Sequence, residues 1–184
     1  QRVGLGAFHG PMVATDLARG LSDEEETSFR QALVGHPIDL PCTPLPDAQD
    51  VEGVLLGGCL SLLAATLGSS FEADLSDALL FLEDVNEPLY RVDRMLTQLE
   101  LSGSLKNVKA MILGHLELTD QNLSEALPDL LKETAWGAAT LAATGLPCGH
   151  GVPNLTVPIG VLARLAPSKG RLQLRLSRQG EGRC

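Results

Sequence analysis

Two short segments of this 184-residue chain carry side chains suited to acid–base chemistry. Residues 80–96, LFLEDVNEPLYRVDRML, place Glu83 and Asp84 directly after a run of four apolar residues. The carboxyl end of a buried strand is where functional side chains collect in open α/β folds. We expect Glu83 near the protein interior, where a carboxylate needs a cationic or hydrogen-bonding partner. The residues alone leave a structural alternative open, in which one of the two carboxylates caps the next helix or pairs with Arg91 or Arg94.

The second segment, GHGVPNLTVPIG at residues 149–160, contains a histidine between two glycines. Glycine neighbours let the backbone approach a ligand and leave the His150 ring uncrowded. Because histidine titrates near neutral pH, His150 is a candidate general base. A loop histidine that bonds a nearby carbonyl explains the same pattern equally well. We expect Asn154 to hold the loop by hydrogen bonds to the backbone.

A third segment, VLLGGCLSLLAATLG at residues 54–68, reads as a strand, a glycine pair and the start of a helix. This order is similar to an anion-binding nest, but it matches neither a P-loop nor GxGxxG, so a nucleotide site is not expected. Gly57 and Gly58 are interpreted as letting the helix pack close to the strand. Ser61 lacks the G-x-S-x-G surroundings of a nucleophile.

The remaining histidines and the cysteines are weaker candidates. His9 lies in a segment broken by glycines and is interpreted as structural, whereas His36 only precedes Pro37. His115 ends a predicted strand and could reach a cleft. The cysteines form no CxxC pair, so zinc is not expected, and their sparse spacing favours a reducing cytoplasm over a disulfide framework. They are Cys42, Cys59, Cys148 and Cys184.

Predicted strands and helices alternate along the chain, which indicates an α/β fold. These elements must position the side chains described above. The predicted strands cover residues 51–58, 78–84 and 108–118, the predicted helices cover 59–68, 88–102 and 123–135, and a hairpin covers 161–177. Ser22 followed by Glu25 predicts a capping box at the start of a further helix. Four prolines in residues 37–50 favour extended chain, as a linker or an edge strand.

Composition limits the classes of partner. Hydrophobic residues make up 44% of the chain and aromatic residues 3%, so the predicted core is aliphatic. The formal net charge is −9 and there is no basic stripe, which argues against nucleic-acid binding. No apolar run approaches the roughly 20 residues that span a bilayer, so no membrane partner is expected.

These segments, together with the opening VGLGAFHGPM at residues 3–12, resemble the serine LD-carboxypeptidase family, which also includes the microcin C immunity peptidases. The stretches that carry the resemblance are GVLLGGCLSLLAATLG, LLFLEDVNEPLYRVDRMLTQLELSG and CGHGVPNLTVPIGVLARL, which occur in order and at family-like spacing. The resemblance implies a barrel-like C-terminal domain of mixed strands with flanking helices at 51–178. It also implies a linker at 37–50, a remnant of an N-terminal glutamine-amidotransferase-like domain at 1–36, and a tail at 179–184.

The resemblance also implies a Ser–His–Glu triad. By motif, the glutamate falls on Glu83 and the histidine on His150, where His150 would take the serine proton and Glu83 would orient the imidazole. Family members release the terminal D-alanine of murein tetrapeptide during cytoplasmic peptidoglycan recycling, need no metal or organic cofactor, and are commonly homodimers. Their GYSD-type nucleophile motif and glycine-rich oxyanion segment do not occur in these 184 residues.

The serine is therefore expected outside this chain, in a missing N-terminal domain, and the chain alone is expected to be inactive. A fragment of a longer protein is the favoured explanation, and a serine from another chain or an inactive truncation are the alternatives. Two other functions stay open: a microcin C-type peptidase acting on peptidyl- or acyl-nucleotides, and a non-catalytic binding module. The peptidase hypotheses require that Glu83 meets His150 at the mouth of a pocket, whereas a binding module does not.

Overall fold

The structure is a computed structural model that describes residues 6–120 and 141–175. Its strands are β1 (Ala7–His9), β2 (Ile38–Pro41), β3 (Thr43–Pro44), β4 (Val51–Cys59), β5 (Ala78–Glu87), β6 (Ala110–Leu118), β7 (Leu141–Thr144), β8 (Val157–Ile159), β9 (Leu162–Ala166) and β10 (Arg171–Arg175). Its helices are α1 (Asp23–Val34), α2 (Leu60–Thr66) and α3 (Leu89–Leu101), with a π-helical turn at Val13–Leu17 and a 3-10 turn at Pro167–Lys169.

Eight strands form one mixed sheet in the order β2-β10-β9-β4-β5-β6-β7-β3. The neighbours from β4 to β7 run parallel, and the other neighbours run antiparallel. Strands β2 and β3 lie on opposite edges of this sheet, yet only Cys42 separates them along the chain. The sheet must therefore curl until its two edges approach each other. This confirms the expected barrel-like α/β architecture with mixed strands and flanking helices.

Strand β5 is buried on both faces, as its continuous apolar run predicts. Leu79 and Phe81 point into the barrel interior, where they join a core built mainly from the other strands. Leu80 and Leu82 point to the opposite face, where α2 and α3 cover the sheet. Because side chains alternate along a strand, the residues that follow this run also face opposite sides.

The helices begin and end where local chemistry predicts. The Ser22 hydroxyl accepts from the Glu25 N–H at 3.2 Å, and a Glu25 carboxylate oxygen accepts from the Ser22 N–H at 2.9 Å, so the predicted capping box is confirmed. Helix α1 ends at Gly35 in the left-handed conformation that favours glycine. Helix α3 begins directly after Pro88 and buries Val92, Leu96 and Leu99, as predicted.

Within residues 37–50, strands β2 and β3 lie at the two edges of the sheet, as the edge-strand alternative predicts, whereas the linker stays a prediction for the domain boundary. Pro41 and Pro44 lie in the two edge strands, where the missing proline N–H does not interrupt a central ladder. Helix α1 also packs on the barrel, where Ala32 joins the interior core. The predicted helix at 123–135 and the predicted tail at 179–184 lie outside the described residues.

A second, two-stranded sheet joins the start of the described chain to its C-terminal part. Strand β1 pairs antiparallel with β8, and His9 lies opposite Val157. This ladder brings the segment around residues 6–10 next to the chain that follows the His150 loop.

Gly57 and Gly58 approach other neighbours than helix α2, which the sequence analysis expected to pack close to them. Gly57 has φ +124°, and a Cβ there would collide with the Phe81 carbonyl group on β5. The atom nearest to a Cβ at Gly58 belongs to the His9 ring, 3.7 Å away. The glycines therefore admit a neighbouring strand and a side chain, since the atoms that a Cβ would meet belong to Phe81 and His9 and not to helix α2.

We predict that Gly57→Ala destabilises the protein by more than about 3 kcal/mol, since backbone atoms of β5 cannot move aside cheaply. Gly68→Ala is the matched control, because Gly68 also has positive φ (+72°) but a Cβ there meets nothing within 4 Å. Its cost should be about 1 kcal/mol from backbone strain alone. Urea unfolding of both variants tests the difference, and equal losses would contradict the steric explanation.

Candidate active site

Glu83 lies in the middle of β5, which continues to Glu87, and points to the same side as Phe81, toward the barrel interior. Its side chain is 1% exposed. The strand geometry explains this position, since a residue two places after Phe81 faces the same side of the sheet. A carboxylate so deeply buried is stable in its charged form only where nearby groups donate hydrogen bonds to it.

His150 lies on the loop between β7 and β8. Gly149 has φ +115°, and a Cβ there would lie 2.9 Å from the Cβ of Glu83, so only glycine lets the loop backbone approach the acid this closely. The Gly149 N–H donates to Asn154 Oδ1 at 3.1 Å, which confirms the expected role of Asn154 in holding the loop. The N–H of Leu155 closes the loop by donating to the Pro147 carbonyl at 2.8 Å.

Glu83 and His150 meet. His150 Nδ1 lies 2.7 Å from Glu83 Oε2, and the histidine side chain is 30% exposed while the glutamate is buried. An ionised carboxylate only accepts hydrogen bonds, so Nδ1 carries the proton in this pair. The second ring nitrogen of His150, Nε2, is then left with a lone pair that can accept a proton from another group.

A second imidazole contacts the same carboxylate. His9 Nε2 lies 3.3 Å from Glu83 Oε1, and the His9 and Phe81 rings pack in a T-shaped arrangement with centroids 5.3 Å apart. The sequence interpretation of His9 as merely structural missed this contact. In the sequence, the contact between His9 and Glu83 has no signal beyond the glycines near His9, and such glycines do not indicate which residue His9 contacts.

The electrostatics of the site follow from these contacts. Burial alone would raise the pKa of the Glu83 carboxyl, but the hydrogen bonds from His9 and His150 and their electrostatic attraction to the carboxylate outweigh burial, and the pKa lies below its usual value. The pKa of the Cys148 thiol is raised well above its usual value, first by burial and then by the Glu83 charge. The site therefore holds one ionised carboxylate beside a neutral thiol.

The histidine loop is anchored to the N-terminal part of the chain. The Asn154 N–H donates to Glu25 Oε1 at 3.0 Å, and the Thr156 N–H donates to the Ser28 hydroxyl at 2.9 Å. Asn154 Nδ2 also donates to Asp16 Oδ2 at 3.3 Å. Helix α1 and the π-helical turn thus fix the end of the loop that carries His150.

A pocket of about 240 Å³ opens beside the two histidines. Besides His9 and His150, the residues that line it are Gly10, Met12, Thr15, Asp16, Val85, Gly149 and Asn154. His150 is thus placed at the wall of a cavity that can admit part of a small substrate.

Asp84 has a structural role. Asp84 Oδ2 accepts from the Ser61 N–H at 2.8 Å and so caps the start of α2, which precedes β5 along the chain. The Ser61 hydroxyl contacts Cys59 Sγ at 3.0 Å. Arg91 pairs with Glu87 at 3.1 Å rather than with either candidate carboxylate. Asp84 thus caps a helix, but it caps the preceding helix α2 and not the next helix, on which the structural alternative placed the cap.

The two other histidines do not join the carboxylate. The His115 ring packs under Gly151, where a Cβ would collide with it, and its Nε2 is buried without a hydrogen-bond partner among the described residues. His36 is exposed. Within residues 6–120 and 141–175, no three His, Cys, Asp or Glu side chains are arranged to hold a metal ion. None of the helices in the same ranges has the length and apolar character needed to cross a bilayer.

Residues 52–165 match the family model of the LD-carboxypeptidase C-terminal domain. The chain belongs to the LD-carboxypeptidase family. Both members of the Glu83–His150 pair fall inside the matched range, whereas His9 and helix α1 precede it. The family match therefore covers the barrel and the histidine loop, and the N-terminal anchor of that loop lies outside it.

Other members of the LD-carboxypeptidase family are similar along most of this chain. The probable murein peptide carboxypeptidase of Bacillus subtilis (strain 168) is 35% identical over 176 residues, which cover 90% of this chain and 54% of the relative. The crystal structure of muramoyltetrapeptide carboxypeptidase from Oxalobacter formigenes has a TM-score of 0.82 and 34% identity, covering 95% of this chain and 62% of that one. The microcin C7 self-immunity protein of Escherichia coli is 34% identical over 113 residues, which are 60% of this chain and 33% of that protein. The chain thus spans about half the length of the first of these relatives.

The anchor of the histidine loop in this family member predicts a pH-dependent stability. Burial would raise the pKa of the Glu25 carboxyl, but the backbone N–H groups of Asn154 and Ser22 lower it. With a further contribution from Arg19, the pKa reaches about 2, against an ordinary value of 4.5. As the pH falls below about 4.5, the unfolded chain takes up this proton before the folded chain does. The stability contributed by the ionised group is therefore present at neutral pH and is lost as the pH falls toward 2.

We predict that Glu25→Gln destabilises the protein by about 3 kcal/mol at neutral pH, and that the penalty shrinks as the pH falls from about 5 to 2. Denaturant unfolding at several pH values measures the difference from the natural protein. Glu24→Gln, an exposed neighbour in the same helical turn, is the control and should cost little at any pH. A penalty for Glu25→Gln that does not change with pH would contradict the assignment.

Proposed function

We propose that this chain carries the general base and the orienting acid of a Ser–His–Glu triad in a peptidase that releases the terminal D-alanine of murein tetrapeptide. The observation that supports this most directly is the 2.7 Å contact between His150 Nδ1 and Glu83 Oε2 at the wall of a pocket. A carboxylate that holds one imidazole nitrogen leaves the other nitrogen unprotonated, which is the arrangement a serine hydrolase needs.

The proposed reaction assigns one task to each group. His150 Nε2 takes the proton of a serine hydroxyl while the serine oxygen bonds to the carbonyl carbon of the scissile peptide. His150 then gives this proton to the nitrogen of D-alanine as the C–N bond breaks. Water, activated by the same imidazole, hydrolyses the acyl-serine ester. Glu83 orients the ring throughout and stabilises its charged form.

The proposal assigns the serine to polypeptide outside these 184 residues. In the family pattern, the serine stands on a strand-to-helix elbow in an N-terminal glutamine-amidotransferase-like domain, of which residues 1–36 would be the last part. The exposed apolar side chains of Phe8, Met12 and Val13 near the pocket agree with such a neighbour. No serine is present among the described residues that line the pocket.

The substrate class rests on relatives that cover nearly the whole chain. The Bacillus subtilis and Oxalobacter formigenes proteins are named for murein peptide and muramoyltetrapeptide substrates, and both are more than 30% identical to this chain. We infer a role in peptidoglycan recycling on the same basis. A cytoplasmic location and a homodimer stay predictions of the family resemblance.

Glu83→Gln and His150→Ala in the full-length protein should each lower kcat for D-alanine release from murein tetrapeptide roughly 10³- to 10⁴-fold, with KM little changed. Glutamine preserves the shape of Glu83 but can donate a hydrogen bond to His150 and favour the wrong tautomer. Quantified D-alanine release measures the effect. Glu117→Gln and His36→Ala alter exposed residues and should leave the rate unchanged. Activity within threefold of the natural protein in either site variant would refute the assigned roles.

A second candidate function is a peptidase of the microcin C immunity type, which acts on peptidyl- or acyl-nucleotides. The similarity to the microcin C7 self-immunity protein supports it, but over a shorter part of the chain. We predict that kcat/KM for murein tetrapeptide exceeds that for an aminoacyl sulfamoyl adenosine by at least about tenfold, in a side-by-side assay of the full-length protein. The reverse ratio would favour the second candidate, with Glu83 and His150 in the same roles.

A further inference from the structure

The Glu83 carboxylate is paired at both of its oxygens, and only one of them is used by the proposed triad. Oε2 faces His150, while Oε1 lies 3.3 Å from Nε2 of His9. Because the carboxylate is 1% exposed, water cannot take the place of either donor. A carboxylate with one free oxygen in such surroundings would tend to turn or to take up a proton.

We propose that His9 is a positioning residue for the site, which donates to Glu83 Oε1 and thereby directs Oε2 toward His150. This inference deepens the proposed function, since it concerns how the acid of the same site is held. The residue lies outside the range matched by the family model, and its contact with Glu83 is visible only in the folded chain.

The backbone around His9 is held in place on several sides. His9 pairs with Val157 in the β1–β8 ladder, so the strand that follows the His150 loop also positions His9. A Cβ at the next residue, Gly10, would lie 2.8 Å from the Thr156 hydroxyl, which shows how closely β1 approaches β8. Phe81 supports the His9 ring from the side. The two histidines are therefore positioned by one connected piece of structure.

The protonation of His9 follows from its surroundings. Its Nδ1 is buried and has no hydrogen-bond partner in the described part of the chain. A proton on Nδ1 alone would leave that N–H unsatisfied and would turn the lone pair of Nε2 toward the carboxylate. A proton on Nε2 instead donates to Glu83, so this tautomer is strongly favoured.

The other groups around the carboxylate do not supply this donor. Cys148 is a neutral thiol, since its pKa is raised first by burial and then by the Glu83 charge, and an S–H group is only a weak hydrogen-bond donor. Asp84, the next residue along β5, binds the N–H of Ser61 on the opposite face. Among the described residues, the remaining side chain that contacts the carboxylate is His150, which is bound at Oε2.

The test compares His9→Ala with His9→Gln in the full-length protein, because the glutamine amide places an N–H donor at a reach similar to that of Nε2. In His9→Ala, the pKa of Glu83, followed by ¹³C NMR of its carboxyl carbon, should move upward, since a buried carboxylate has lost a donor. The value of kcat for D-alanine release should fall roughly tenfold or more while KM stays within about twofold. His9→Gln should recover most of both effects, and His36→Ala should show neither.

The Glu83 titration separates this inference from the proposed function. An unchanged Glu83 pKa in His9→Ala, or a His9→Gln protein no better than His9→Ala, would overturn the role of His9. If instead the titration moves as expected while Glu83→Gln keeps full activity, His9 holds the carboxylate but the proposed triad is wrong. If His9→Ala fails to fold, His9→Gln still tests the inference, because its Glu83 pKa and its kcat should both stay close to those of the natural protein.

Discussion

An ionised carboxylate in the interior of a protein imposes the main constraint on this molecule. Removing such a charge from water costs several kcal/mol unless hydrogen-bond donors replace the water. Glu83 receives these donors from two segments that lie far apart in the sequence, the strand that carries His9 and the loop that carries His150. The barrel, the loop and the N-terminal strand must therefore all be in place before the charge is stable, which couples the formation of the site to the completion of the fold.

A second buried carboxylate, which contacts the histidine loop from helix α1, is held by hydrogen-bond donors in the same way. Glu25 is also buried and charged, and it receives the N–H of Asn154 from the histidine loop. Helix α1 thus acts as a clamp on the loop, with Ser28 accepting a second loop N–H from Thr156. Because Glu25 and Ser28 bond backbone groups, this end of the loop is fixed by residues of α1 that do not themselves line the pocket beside His150.

Much of the fold was predictable because it depends on local pattern. The apolar run that ends at Glu83, the helix after Pro88 and the terminal hairpin all appear where the sequence indicates them. The pairing of Glu83 with His150 was not derivable from the residues alone, which left a structural role equally open, and it came from the resemblance. The contact of His9 depends on an antiparallel ladder between distant segments, and the close approach at Gly57 depends on a positive φ, so neither has a periodic signal in the sequence.

Adjacent residues in the middle of β5 serve opposite faces of the sheet: Glu83 turns inward to the histidines, and Asp84 turns outward to cap α2. Side chains alternate along the regular part of a strand, so deletion of a single residue in the run before them would exchange the two faces unless a bulge absorbed the change; the pairing of β5 with β6 already shifts register after Leu82. The shorter aspartate would then point at the imidazoles and the glutamate at the helix. A change of one residue in this stretch therefore keeps both carboxylates in their roles only where an irregularity in the strand compensates for it, and the register shift between Leu82 and Asp84 lies at the position where such compensation is needed.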